Sequence, residues 1–137
     1  NQTSGAGADD RVTIQYKFEA QDIAKSGWDY TSASSYVTLQ FWVMSSVAQN
    51  FYGHFTSADG TAQSYIFETG SLSANVWKHV TVTMPGNSNI TVDNDTGEGF
   101  YLEFCMYRGT NKTASGKALN TWAAFDSDER VPDMTTT

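Results

Sequence analysis

Residues 36–44 have the sequence YVTLQFWVM, and the character of their side chains alternates along the chain. In an extended segment, successive side chains point to opposite faces. One face would therefore be apolar throughout: Val37, Leu39, Phe41 and Val43. The opposite face would combine aromatic and polar groups: Tyr36, Thr38, Gln40 and Trp42. Such alternation is typical of a β-strand with one buried face.

Similar segments occur on both sides of this stretch. We predict strands at 11–20, 51–56, 65–68, 77–84 and 100–107, and a weaker strand at 121–125. Asp59-Gly60 and Pro85-Gly86 are turn sequences that end two of them. Residues 21–35 form a longer connection with room for one helical turn. Many short strands separated by turns indicate an all-β sandwich or barrel.

The length and the alternation together define the domain and its core. A chain of 137 residues corresponds to one domain. Residues 1–10 are small and polar, which predicts a flexible lead-in, and residues 11–137 form the single β domain. We predict these core residues: Ile14, Phe18, Val37, Leu39, Phe41, Val43, Val80, Val82, Leu102 and Phe104.

Charge and composition exclude several classes of partner. The chain has 15 acidic and 8 basic residues, for a net charge of −7. Binding to nucleic acid or to an anionic membrane surface needs a basic face, so neither is expected. No apolar run approaches the ~20 residues of a membrane span, so we expect no membrane insertion. A single cysteine excludes an intrachain disulfide.

Catalytic motifs are absent, and we expect no enzyme. The sequence has no GxSxG, HExxH or phosphate-binding glycine loop. His54 and His79 lie within strand patterns, which favours sheet histidines with satisfied hydrogen bonds. A glycosidase would need two carboxylates on either side of one bond, and Glu68 and Glu103 are candidates whose separation the sequence does not give.

One loop has the opening of a calcium site. The run Asp93-Asn94-Asp95-Thr96-Gly97 matches the D-x-D-x-G start of a calcium loop, in which alternate oxygen ligands converge around a glycine turn. The twelfth position is Phe104 where an EF-hand has glutamate. Such residues also form ordinary turns between strands. No cofactor is expected beyond Ca²⁺, with Asp93 and Asp95 as its candidate ligands.

The aromatic residues are the clearest indication of function. Sugars stack their C–H faces on aromatic rings and use their hydroxyls for hydrogen bonds. We predict carbohydrate binding by Trp42, Tyr65, Tyr101 and Tyr107, with Gln40 and Glu103 as hydrogen-bond partners. The alternative is that a loop or a neighbouring subunit covers this aromatic face.

Three segments, in order along the chain, resemble a pattern found in virion proteins of tailed phages. They are VTLQFWVMSS at 37–46, NVWKHVTVTMPG at 75–86 and DNDTGEGFYLEF at 93–104. The resemblance spans roughly residues 11–133. The corresponding family segments are of the types LSFWVKSS, ANTWxxVTVTIPG and DNGTG followed by a strand. Met44 stands where the family often has lysine.

This resemblance implies an antiparallel β-sandwich of jelly-roll type, similar to a carbohydrate-binding module on a tail fibre or virion surface. It also implies that the chain is part of a longer protein, because family members carry further strands at both ends. We therefore expect a non-enzymatic virion surface module, a homo-oligomer, that binds host or environmental glycans weakly and multivalently beside other virion proteins. The alternative is a purely structural fibre or decoration module whose aromatic face lies in a subunit interface.

Overall fold

A computed structural model of the chain describes residues 6–127 and 130–134. Every predicted strand is present, with ends within two residues of the prediction. The strands are β1 (Arg11–Glu19), β2 (Tyr36–Val43), β3 (Tyr52–Ser57), β4 (Gln63–Glu68), β5 (Lys78–Pro85), β6 (Glu98–Arg108) and β7 (Trp122–Ala124). The long connection contains a short helix, α1 (Ala20–Ala24), and a 3₁₀ turn spans Thr110–Lys112.

The strands form two antiparallel sheets, which confirms the all-β prediction. The larger sheet has five strands in the order β1-β6-β3-β4-β7, and the smaller sheet pairs β2 with β5. In the smaller sheet Leu39 lies opposite Val82, and Phe41 lies opposite Val80. This register places the apolar faces of both strands on the same side, where they can pack on the larger sheet.

The core lies between the two sheets. The Phe41 ring of the smaller sheet lies 4.9 Å from the Phe104 ring and 6.2 Å from the Phe67 ring of the larger sheet, measured between centroids. The buried cluster consists of Ile23, Phe55, Tyr65, Phe67, Val80, Val82, Met84, Ile90 and Phe100. The predicted core residues other than Ile14 all belong to this cluster or pack against it while partly buried.

The prediction for Ile14 was wrong, because the side chain is 61% exposed. Ile14 pairs with Phe104 of β6, so it lies on the inner face of the larger sheet. However, β2 is the last strand of the smaller sheet and packs over β6, so no described strand covers β1. Tyr16 is exposed for the same reason, and a cavity of about 650 Å³ opens nearby between Phe18 and Leu39.

The other edge of the smaller sheet is held by side chains of the larger sheet. The Tyr65 hydroxyl donates to the Thr83 carbonyl at 3.4 Å, and Trp122 Nε1 donates to the Pro85 carbonyl at 2.6 Å. These bonds occupy carbonyl groups of β5 on the edge where no described strand pairs with it. The position of β5 over β4 and β7 is therefore fixed by polar as well as apolar contacts.

The predicted lead-in is only partly within the described residues. Residues 1–5 lie outside them. Residues 6–10 form a turn, in which the Gly7 amide donates to the Asp10 carboxylate at 2.7 Å. The amides of Gly109 and Asn111 donate to the Asp10 and Ala8 carbonyls, at 2.8 and 2.9 Å. This turn is therefore joined to the end of β6.

Candidate functional site

The outer face of the smaller sheet carries exposed aromatic and hydrogen-bonding groups side by side. Seven exposed side chains form this face, which we call the platform: Tyr36, Thr38, Gln40 and Trp42 of β2, with His79, Thr81 and Thr83 of β5. They lie outside because the alternate residues of both strands are the ones packed into the core. The four β2 members of the platform follow directly from the alternation of residues 36–44, and the pairing of β2 with β5 adds the other three.

Aromatic rings lie at both ends of the platform. Trp42 is 65% exposed, and its ring lies 5.0 Å from the imidazole of His79, directly across the strand pair, with 31° between the planes. Tyr36, at the opposite end of β2, is 61% exposed. Trp42 lies six positions after Tyr36, which corresponds to ~20 Å along an extended strand.

Uncharged polar groups occupy the middle of the platform. The hydroxyls of Thr38 and Thr83 lie 3.2 Å apart, and Gln40 lies opposite Thr81. Hydroxyl and amide groups can both donate and accept hydrogen bonds. The platform therefore combines two stacking surfaces with a row of hydrogen-bonding groups between them.

The six predicted carbohydrate-binding residues do not share one surface. Only Trp42 and Gln40 belong to the platform. Tyr65 is 4% exposed because it points into the core, and burial raises its pKa. Tyr101 is 8% exposed on the outer face of the larger sheet, where Phe125 lies against it, and burial also raises its pKa. Alternation assigns a face to each residue but does not say which faces are covered.

Glu103 and Tyr107 are also separated from the platform. Both lie on β6, and Glu103 is 3% exposed while Tyr107 is half-buried. The pairing of β1 with β6 passes over Met106, so β6 has a bulge there. A one-residue bulge reverses the alternation, and Tyr107 is therefore out of phase with Tyr101 and Glu103.

The bulge brings Arg108 onto the face that carries Glu103 and Cys105. The Arg108 Nη2 contacts Glu103 Oε1, and Arg108 Nε donates to Cys105 Sγ at 3.2 Å. Arg130 Nη1 lies 3.6 Å from Glu103 Oε2, and Gln15 Nε2 donates to the same oxygen at 3.3 Å. Sequence alternation did not indicate this buried network, because without the bulge Arg108 would share the face of Phe104.

His54 completes the buried network on β3. Its Nδ1 lies 2.9 Å from the Thr56 hydroxyl, which lies 2.9 Å from the Ser64 hydroxyl. Its Nε2 lies 3.5 Å from Glu103 Oε1 and makes no hydrogen bond within the described residues. The expectation of a hydrogen-bonded sheet histidine therefore holds for one ring nitrogen. Burial lowers the pKa of His54, which favours the neutral imidazole.

The electrostatics of Glu103 favour a permanent carboxylate. Burial by itself would raise its pKa, but the adjacent His54 imidazole and the positive charges of Arg108 and Arg130 outweigh it and lower the pKa to about 2. Cys105 behaves in the opposite way, because burial raises its pKa to about 11 despite the adjacent Arg108. At neutral pH the network therefore contains a carboxylate, two guanidinium groups and a protonated thiol.

His54, Glu103 and Cys105 place ligand atoms within 4.8 Å of one another, the one such group among the described residues. Arg108 contacts both the Glu103 oxygen and the Cys105 sulfur that a metal ion would use. A cation there would meet two guanidinium groups and a thiol that holds its proton. The arrangement is a buried ion-pair network, and its chemistry does not suit a metal ion.

The loop with the calcium-like opening is exposed. The Asp95 Oδ1 accepts a hydrogen bond from the Gly97 amide at 2.8 Å, and the Asp93 amide donates to the Asp59 carboxylate at 2.8 Å. Within the described residues, neither Asp93 nor Asp95 belongs to a group of three potential ligands. Ca²⁺ binding by this loop stays a prediction.

Glu68 and Glu103 lie on different strands of the larger sheet. Strand β3 separates β4 from β6, and the pairing places Glu68 opposite Tyr52 and Glu103 opposite His54. Asn50 Nδ2 donates to Glu68, and Glu103 is buried in the network. The two carboxylates are thus engaged by different partners, and the geometry offers no support for glycoside hydrolysis.

The chain matches no family model, no curated protein and no solved structure. None of the described helices is long and apolar enough to cross a membrane. The resemblance to virion modules of tailed phages therefore rests on the three sequence segments.

Proposed function

We propose that the chain is a non-enzymatic β-sandwich module of jelly-roll type that binds glycans through the platform. The observation that carries this proposal is the exposure of Trp42 and Tyr36 on one face of the sheet, with Gln40 and the threonine hydroxyls between them. Rings of this kind stack on the C–H faces of sugars, while hydroxyl and amide groups bond sugar hydroxyls.

An exposed site of this kind binds one sugar weakly. A dissociation constant of ~1 mM corresponds to only ~4 kcal/mol. Several copies on one particle would raise the apparent affinity by avidity without any new contact. The resemblance to virion modules supports such a setting, namely a homo-oligomer among other virion proteins on the surface of a phage particle.

An apolar patch next to the platform favours a second candidate function. Met44, Val47, Val76 and Trp77 are all between 45% and 61% exposed, and the Asn75 amide donates to the Ser45 carbonyl at 2.7 Å, which joins their two loops. Exposed apolar surface of this kind is common where subunits meet. The second candidate is a structural fibre or decoration module with the platform and this patch in a subunit interface.

A glycan array with the chain displayed multivalently tests the first proposal. Trp42→Ala should abolish binding, while the matched control Tyr16→Ala should keep it, because Tyr16 is an equally exposed ring on β1, away from the platform. Circular dichroism would check that both variants are folded. Absence of glycan binding by the folded, multivalent chain would contradict the proposal.

Sedimentation velocity separates the two candidates. If the platform lies in an interface, the chain should associate with rising concentration, and Trp42→Ala should weaken that association. Association that Trp42→Ala abolishes, together with a blank glycan array, would favour the structural module.

A further inference from the structure

We infer that the platform's ligand is an uncharged, extended oligosaccharide that lies along the strands and contacts the rings of both Tyr36 and Trp42. This inference rests on the proposed glycan-binding function and adds the class, length and direction of the ligand. It follows from the charge of the platform, from the distance between its rings and from the position of its polar groups.

The charge of the platform disfavours acidic sugars. None of its seven side chains is an aspartate, glutamate, lysine or arginine. Recognition of a carboxylate usually relies on arginine or lysine. Lys78 is the lysine or arginine of the strand pair that lies nearest to the platform. It alternates with the core-facing residues of β5, and its Nζ donates to the Ser71 carbonyl at 3.4 Å. The net charge of −7 would further repel an anionic glycan at low salt.

The distance between the rings requires a ligand of several sugar rings. Tyr36 and Trp42 lie on the same face of β2, ~20 Å apart. A monosaccharide or disaccharide could stack on one of them only. An oligosaccharide that runs along the strand direction could reach both and would gain the second stacking contact without a second loss of translational freedom.

The polar groups between the rings define the same direction. The Thr38–Thr83 hydroxyl pair and the Gln40–Thr81 pair are successive cross-strand neighbours on the outer face of β2 and β5. A ligand laid along the strands would pass each pair in turn, and its equatorial hydroxyls could exchange hydrogen bonds with them. A ligand laid across the strands would meet one pair only.

The test is a length series of neutral oligosaccharides of glucose, mannose, galactose and xylose, from disaccharide to hexasaccharide, beside oligogalacturonates of equal length. The multivalent chain would be assayed at pH 8 and low salt. For at least one neutral series, we expect the hexasaccharide to bind at least about tenfold more tightly than the disaccharide, and the oligogalacturonates to bind at least about tenfold more weakly.

Two variants test whether the rings of Tyr36 and Trp42 cause the tighter binding of the hexasaccharide. Tyr36→Ala should remove the advantage of the hexasaccharide, whereas Trp42→Ala should remove binding at every length. Both side chains are exposed, so both variants should fold, and Tyr16→Ala is again the matched control.

The possible failures are distinguishable. If short or acidic sugars bind as well as long neutral ones and Trp42→Ala removes that binding, the inference is overturned while the proposed function stands. An unchanged length dependence in Tyr36→Ala would likewise overturn the inference alone. If no sugar binds to the folded, multivalent chain, the inference and the proposed function both fail.

Discussion

Arg108 offers the sharpest test of the buried network, because its guanidinium is fully buried against the Glu103 carboxylate. In Arg108→Met the side chain keeps an apolar stem of similar shape, but Glu103 loses its closest positive charge. Removal of one partner from a buried ion pair typically costs 3–5 kcal/mol, since the remaining charge is left without compensation. We expect the free energy of unfolding at pH 7 to fall by about that amount.

The remaining contacts of Glu103 set where in this range the cost lies. Arg130 Nη1 stays 3.6 Å from Glu103 Oε2, and the Gln15 hydrogen bond to that oxygen also remains. Both act on Oε2, whereas Arg108 contacts Oε1, so Oε1 loses its only guanidinium partner. Because the contacts of Arg130 and Gln15 with Glu103 remain, we expect a cost at the lower end of the range, about 3 kcal/mol. A domain with a typical stability of roughly 5–15 kcal/mol stays folded after such a loss.

A second substitution separates the charge effect from lost packing. Glu103→Gln removes the uncompensated charge at nearly constant volume. Added to Arg108→Met, it should therefore restore about 1–2 kcal/mol, because an unpaired amide costs less than an unpaired carboxylate. If Arg108 acted through packing alone, the two substitutions would add without this recovery.

Urea unfolding followed by tryptophan fluorescence, at several pH values, is the assay. In the wild-type chain Glu103 has a lowered pKa, so its stabilising contribution is present above its unfolded pKa of about 4.5 and is lost as the pH falls towards about 2. The substitution Arg108→Met should raise the pKa of Glu103. The loss of unfolding free energy that it causes should therefore become smaller as the pH falls across the same range. A cost below about 1 kcal/mol, or one that does not change between pH 7 and pH 3, would refute the reasoning.

Three further predictions concern the same part of the fold. Burial lowers the pKa of His54 in the folded chain. As the pH falls through about 6.5, this histidine therefore takes up a proton in the unfolded chain before it does so in the folded chain. The free energy of unfolding should accordingly decrease below that pH. His54→Gln should flatten this decrease in urea titrations, and an unchanged slope would contradict the assignment. Gly53→Ala should cost about 3 kcal/mol, because the added Cβ would lie 2.4 Å from the Phe67 ring. The matched Gly116→Ala meets no atom within 4 Å and should cost only the ~1–2 kcal/mol of its positive φ, so equal thermal shifts in the two variants would argue against the steric account. The Cys105 thiol, with its pKa raised to about 11, should react with a thiol reagent at pH 8 far more slowly in the native chain than in urea, and rapid native labelling would show that it is not buried.

The outcome for β2 and β5 shows what could be predicted from local pattern. The alternation in residues 36–44 predicted a strand, its two faces and the residues that pack inward, and Val80 and Val82 of the partner strand are buried as expected. These features depend on the pleat of a single strand, which is a local property of the backbone. The same alternation identified Trp42 and Gln40 as outward-facing residues.

Whether a strand face is covered by other parts of the chain could not be predicted from local pattern, as Ile14 and Tyr101 show. Ile14 alternates like a core residue, yet it is exposed because the smaller sheet ends at β2, above β6. Tyr101 alternates like a surface residue, yet it is buried on a face that Phe125 helps to cover. Both results depend on where distant parts of the chain pack, and the pattern of one strand holds no information about that.

The chain's sequence by itself therefore determined the strands, their alternation, the all-β class and the placement of Trp42 and Gln40 on the face opposite the core residues of β2. Only the tertiary structure decided that Tyr36 and Trp42 share an open face with the threonines of β5, and that Glu103 lies in a buried network. The bulge at Met106 illustrates the physical reason, since it arises from the pairing of β6 with β1. By reversing the alternation it places Arg108 on the same face of β6 as Glu103, which a count of alternate residues along the strand would not predict.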